Sequence, residues 1–168
     1  MKKIIVFLFI FIIVFLSLHQ NQQVKIPEDA IRFRIIASSD SLADQNLKIK
    51  IRDDLIPILT KIEQNSTNQN SSKKIINEQI PEIKKIINRY NINYDISYGK
   101  NFFPEKVYQN TAYNAGNYDS LVITLGPGKG QNWWCVLFPP LCLIEANKDT
   151  MSKVDYDLYI NKILRKYA

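Results

Sequence analysis

Between residues 42 and 90 the apolar side chains recur at intervals of four and three, and no other feature limits the fold of this chain so strongly. Leu47, Ile51, Leu55, Ile58 and Ile62 share one face of a helix predicted over Leu42 to Glu63, with Ile49 and Ile56 widening the stripe. Lys48, Lys50, Arg52 and Asp53 are left to water or to the edges of that stripe. Ile76, Ile80, Ile83, Ile87 and Tyr90, beside Ile75 and Ile86, mark a second helix over Lys73 to Tyr90. Packed antiparallel over a sheet, the two helices would bury these isoleucines, each contributing about 1.5–3 kcal/mol. Pro57 and Pro81 stand inside the helices, where a missing N–H predicts a kink. Asp40 or Ser41 suits the start of the first helix, with Ser41 and Asp44 at capping-box spacing, and Ser72 suits the start of the second. Glu63 to Ser72 has the composition of a solvated loop with no core to join.

Strand patterns flank this pair. Ile31 to Ala37 alternates before turning apolar, as a strand entering a core does. Asn93 to Tyr98 puts Tyr94, Ile96 and Tyr98 on one side and is broken by Gly99-Lys100-Asn101. Lys106 to Asn110 reads as a short edge strand, Asn114 to Asn117 as a turn, and Asp119 to Leu125 and Trp133 to Phe138 as further strands. Met151 to Ala168 is helix-like. These patterns predict an α+β domain with an antiparallel or mixed sheet of about four to five strands, covered on one face by two kinked amphipathic helices.

An apolar leader precedes the domain. Met1-Lys2-Lys3 is followed by Ile4 to Leu18, apolar except for Ser17, and then by the polar run His19 to Gln23. The run is shorter than the ~20 residues of a comfortable membrane span, which favours an export signal; the lack of a small-x-small cleavage site keeps an uncleaved anchor as the rival. Either places the rest of the chain outside the cytoplasm, because Lys2 and Lys3 stay inside. The expected organisation is 1–20 signal peptide or anchor, 21–30 connector, 31–145 α+β domain and 146–168 basic helical segment. The formal charge of +6 falls to +4 without Lys2 and Lys3, a modest balance that is no nucleic-acid footprint. The membrane is a partner through the leader, and the basic balance leaves open a weak attraction to an anionic membrane surface.

The rarest side chains gather in Gly126 to Leu143, GPGKGQNWWCVLFPPLCL, which holds both tryptophans and both cysteines of the chain. Its glycines do not form a phosphate cradle: Gly130 follows Lys129 where a Walker motif needs Ser or Thr, so a turn between strands is the better reading. Cys135 is no activated nucleophile, since the one histidine is His19 in the leader; a Ser-His-Asp triad and a His-rich metal site fail for the same reason. No cofactor motif is present. Asp40 with Asp44, and Asp53 with Asp54, leave acid–base chemistry open, although capping explains the first pair. In an exported protein Cys135 and Cys142 are open to two readings, a small disulfide loop turned by Pro139-Pro140 or two buried thiols. Adjacent strand residues face opposite sides, which puts Trp134 inside with Val136 and Phe138 and leaves Trp133 outside as a binding platform.

Two blocks together resemble the stage II sporulation protein R family. One is Ile31 to Ser41 with Asp44-Gln45 and Lys48 to Asp53. The other is Ile96 to Lys100 followed by Gly128 to Cys142. The resemblance implies an activator without catalytic activity, made in the forespore, exported across its inner membrane, and acting between the two compartments of a sporulating cell. Its implied partner is the membrane-embedded aspartic protease of the mother cell that matures the precursor of sigma factor E. On that reading Gly128, Lys129, Asn132, Trp133, Trp134 and Phe138 form the contact region, and Asp40, Asp44, Arg52, Asp53, Pro139 and Pro140 support the fold beside it. Arg34 departs from the family pattern, where a histidine is usual, and so does Ser38, where asparagine is frequent. The rival functions are an exported cell-wall hydrolase using Asp40, Asp44 or Asp53, and a membrane-anchored scaffold.

Overall fold

The computed structural model describes residues 24–108, 111–147 and 153–167; the leader expected at 1–20 lies outside the described residues. Along the chain run β1 (Val24–Lys25), β2 (Ile31–Ile36), α1 (Leu42–Asn65), α2 (Gln69–Asn88), β3 (Tyr94–Phe103), β4 (Lys106–Tyr108), β5 (Thr111–Tyr113), β6 (Gly116–Leu125), β7 (Asn132–Phe138), α3 (Cys142–Asn147) and α4 (Lys153–Tyr167). The central sheet is mixed and four-stranded, in the order β3-β6-β2-β7, with β2 parallel to β6 and antiparallel to β7. A second, small sheet has the order β1-β5-β4.

The pleat sorts the side chains into two cores. Ile31, Phe33 and Ile35 of β2, Leu121, Ile123 and Leu125 of β6, and Trp133, Cys135 and Leu137 of β7 share one face. Onto it pack Ile51, Leu55, Leu59 and Ile62 of α1 and Ile76, Ile83 and Ile87 of α2, as the spacing predicts. The opposite face carries Phe103, Tyr118 and Val136, and is covered by Ile26, Ala30, Tyr113 and Leu141 together with Ile160 and Leu164 of α4. Two amphipathic helices account for one face only. The aromatic-rich second half closes the other.

Several expectations change. The segment read as a solvated loop is mostly helix: α1 runs to Asn65, and α2 starts at Gln69 on a capping box formed by Asn68 and Ser71. Ser72 is therefore not the cap but a fully buried residue of the first turn, its hydroxyl donating to Asn68 O at 2.8 Å. The Asn and Ser content serves the cap and a three-residue connection rather than solvation. At the first helix Ser41 caps as expected, accepting from the Asp44 N–H at 3.2 Å. Helical assignment is continuous across Pro57 and Pro81. Gly99-Lys100-Asn101 does not break β3, which pairs with β6 from Tyr94 through Phe103. There Lys100 pairs with Asp119 at 3.4 Å and Asn101 donates to Ser120 Oγ at 2.9 Å, so cross-strand contacts carry the ladder past the glycine.

The two tryptophans are also exchanged. Trp133 is only 6% exposed and packs under the helices, edge-on to Phe33 at 5.9 Å, whereas Trp134 is half-buried on the opposite face. With both faces of the sheet covered, parity chooses between two cores rather than between core and water. A register shift opposite Ile31 and Arg32 then moves Phe138 to the side of Leu137 and away from Trp134 and Val136.

Candidate partner-binding site

The two sequence blocks meet at one end of the sheet. β6 and β7 are not neighbours, because β2 lies between them, so Gly126–Gln131 must cross the end of β2 in six residues. Two strand spacings are about 10 Å, which forces the crossing to lie directly on the segment that leaves β2. Backbone bonds fix it there: Gly130 N–H donates to Ala37 O at 2.9 Å and Lys129 N–H to Ser38 O at 3.1 Å. Asp40 reaches back and accepts from the Gln131 N–H at 2.7 Å. From α1, the buried Lys48 donates to Gln131 O at 2.8 Å and to Gln45 Oε1, and Gln45 donates to Ser39 O at 2.9 Å. The loop is a clasp over β2.

Close approach explains two of its glycines. A Cβ on Gly130 would lie 2.2 Å from Ser39 O, and Gly128, at φ +62°, would meet Thr124 at 2.4 Å. The glycines serve passage rather than phosphate binding.

The other residues singled out in the sequence fall around this clasp. Asp44 accepts from Ser39 Oγ at 2.5 Å. Arg52 pairs with Asp53 at 2.6 Å and lies over the Trp133 ring, 5.7 Å from its centroid. Asp40 and Asp44 are thus engaged at the clasp and the start of α1, while Asp53 is exposed and paired with its neighbour Arg52. Among the described residues, no group of three or more His, Cys, Asp or Glu is placed to hold a metal ion. Of the expected contact residues, Trp133 and Phe138 are core; Lys129 is exposed, and Gly128, Asn132 and Trp134 are half-exposed. The Phe138–Pro139 peptide is cis, Pro140 follows it, and Leu141 N–H returns to Val136 O at 3.0 Å. Cys135 and Cys142 are bonded, which settles the open reading in favour of the disulfide. Closing so short a loop is worth about 2.5 kcal/mol in the chain-entropy account. Replacing both cysteines by alanine is expected to lower the unfolding free energy in urea by at least about that much.

Four charged residues to which the sequence reading gave no such role belong to the same structure. Arg32 is 1% exposed and sits among the rings of Phe103, Tyr113, Tyr118 and Trp134, at 4.4–5.6 Å from their centroids. Its neighbour on that face, Arg34, lies over Phe103 and Trp134, and burial lowers its pKa. The legible signal was the surplus of aromatics in the second half, which needed a face to cover. Lys48, left to water or to the edges of the helix stripe, is 5% exposed, buried by its bonds to the clasp. Glu63, read as loop, is 8% exposed and accepts from the Cys142 N–H beside the disulfide, with burial pushing its carboxyl up to about 7.

The comparisons with known proteins agree on one family. The sequence profile described as "Stage II sporulation protein R (spore_II_R)" matches residues 27–148. Stage II sporulation protein R of Bacillus subtilis (strain 168) is 40% identical over 149 residues, which is 85% of this chain and 66% of that protein, so the chain spans just under two thirds of the relative's length. No solved structure matches. The profile covers both blocks joined by the clasp, and the chain belongs to the stage II sporulation protein R family.

Proposed function

We propose that this chain is an exported signalling protein of endospore formation. It acts between forespore and mother cell and switches on the membrane-embedded aspartic protease that matures the precursor of sigma factor E. The observation that carries the reading is the family match across residues 27–148, which contains both blocks of the clasp. The basic-then-apolar leader in the sequence, Met1 to Leu18, supports an exported location, either as a removed signal or as a retained anchor.

The proposed mechanism is binding without chemistry. A protein that activates a protease by contact must bind its active conformation or dimer more tightly than the inactive one, and a shift from 1:99 to 99:1 needs about 10⁴-fold preference. A rigid surface suits that demand, since little ordering is lost on contact. In this chain the clasp holds Lys129, Gln131, Asn132 and Trp134 at one end of a sheet packed on both faces. We place the contact there, with Trp133 and Phe138 acting from beneath as core supports.

The test is co-expression of the protease, its precursor substrate and this chain in a host that does not sporulate. Processing is expected only when all three are present; equal processing with and without the chain rejects the reading. Intact-mass measurement of the exported form separates a removed signal from an anchor.

A further inference from the structure

Four large apolar side chains stand exposed among the described residues, and two of them are neighbours on α4, Leu158 at 63% and Tyr159 at 52%. Helical spacing puts Lys162, Arg165 and Lys166, all exposed, on the same outward face. The inward face is in use: Ile160 and Leu164 are buried in the second core, Ile163 packs against it, and Tyr167 stands edge-on to Phe138 at 5.2 Å. One side of α4 is therefore fixed to the domain, and the other is presented outward, apolar in its middle and basic in its last two turns.

The three cations are uncommitted. Lys162 and Arg165 have no ion pair among the described residues, and Lys166 leans only over the Tyr167 ring, 5.3 Å from its centroid. Asp29 lines the same hollow as Lys166 without closing an ion pair to it. Asp155, in the first turn of α4, already has a partner. A second copy of this chain would set three cations against three, which argues against a self-contact. Position favours lipid over an acidic protein. Leu18, the last apolar residue of the leader, is six residues before Val24, a reach of about 20 Å at most. The chain then gives Ile26 and Ala30 to the core that holds Ile160 and Leu164, so a domain tethered by the leader carries α4 close to the bilayer.

We propose that the outward face of α4 lies on the surface of an anionic lipid bilayer. Leu158 and the Tyr159 ring would enter the headgroup zone, which suits a side chain with an apolar body and a polar tip. Lys162, Arg165 and Lys166 would meet lipid phosphates with their stems along the surface. The clasp stays free for a partner. The last turn of α4 touches Phe138, whereas the clasp joins β7 at Asn132, about 20 Å away along the strand. The proposal goes beyond the activator reading and rests on it only for the exported location.

The test places the full chain in isotropic bicelles that carry a gadolinium chelate on a lipid headgroup, with amide signals read residue by residue. With phosphatidylglycerol in the bicelle, the signals of Leu158, Tyr159 and Lys162 are expected to broaden beyond detection, while those of the exposed Asp53 and Asp54 on α1 persist. With phosphatidylcholine alone, all of them persist. Lys162→Gln, Arg165→Gln and Lys166→Gln together keep helix propensity and are expected to weaken the contact by about a hundredfold, which restores the α4 signals in the anionic bicelle. Leu158→Ser is expected to weaken it by about tenfold. All four positions are exposed, so these changes leave the cores untouched. Signals that vanish equally in the neutral bicelle, or that stay broadened in the glutamine variant, overturn the proposal. Signals that persist in both bicelles do so too, and that is the result expected if an acidic protein covers this face instead. Loss of lipid contact leaves the co-expression assay on the unaltered chain untouched, so the two readings fail separately.

Discussion

Gly130→Ala is expected to destabilise the protein by about 3.5–5 kcal/mol, seen as a lower urea midpoint with an unchanged slope. The added Cβ would stand 2.2 Å from Ser39 O and 2.5 Å from Ser39 C, both backbone atoms with no rotamer to move out of the way. Relief requires lifting the clasp. That loosens the bonds from Gly130 to Ala37, from Lys129 to Ser38 and from Gln131 to the Asp40 carboxylate. Two neutral bonds at about 1 kcal/mol each and one to a charged acceptor at about 1.5–3 give the magnitude. If Gly130→Ala unfolds as the unaltered chain does, the clasp is not the restraint described here. A stable variant with the clasp lifted would also lose activation in the co-expression assay, because Lys129, Gln131 and Asn132 would no longer hold their places.

Glu63 is expected to make the protein less stable as pH rises from about 5 to 8. In the unfolded chain its carboxyl titrates at the ordinary 4.5, and burial raises it to about 7 in the fold, against the opposing effect of backbone N–H groups of Cys142 and Leu143. A raised folded pKa means that its stabilising contribution is complete below 4.5 and is lost as pH climbs through 7. The difference between the two values corresponds to about 3 kcal/mol as an order of magnitude. Glu63→Gln keeps the acceptor for the Cys142 N–H and removes the ionisation. Urea titrations at pH 5 and pH 8 should show that loss in the unaltered chain and a much flatter dependence in the variant. Equal slopes in both would show that the carboxyl ionises as it does in water.

Much of the fold was legible because periodicity reports burial directly. Leu47 to Ile62 and Ile76 to Ile87 each had one way to be satisfied as helices, and both stripes face the sheet. The strands of the second half were legible as strands but not as neighbours. Asp119 to Leu125 and Trp133 to Phe138 follow each other in sequence, yet β2 comes between them, and only that insertion explains why the linking loop needs glycine at 128 and 130. Arg32, Lys48 and Glu63 misled for a common reason. Composition assigns a charge to water, whereas their environments are made by residues up to 102 positions away, as with the bond from Lys48 to Gln131 or Arg32 over Phe103 and Trp134. The tryptophans misled because alternation distinguishes two faces without saying what covers each.

The sequence by itself determined the helix pair, the presence of the four strands that make the central sheet, the lack of a histidine after His19, and two motif blocks specific enough to point to a family. Those properties are local: spacing, composition and residue identity carry them without knowledge of distant partners. Only the tertiary structure decided that the two blocks form one clasp, that Cys135 and Cys142 are joined, that both sheet faces are covered, and that β7 is left as an edge. Each of these depends on which strands lie side by side, and strand order is set by contacts between residues far apart in the chain.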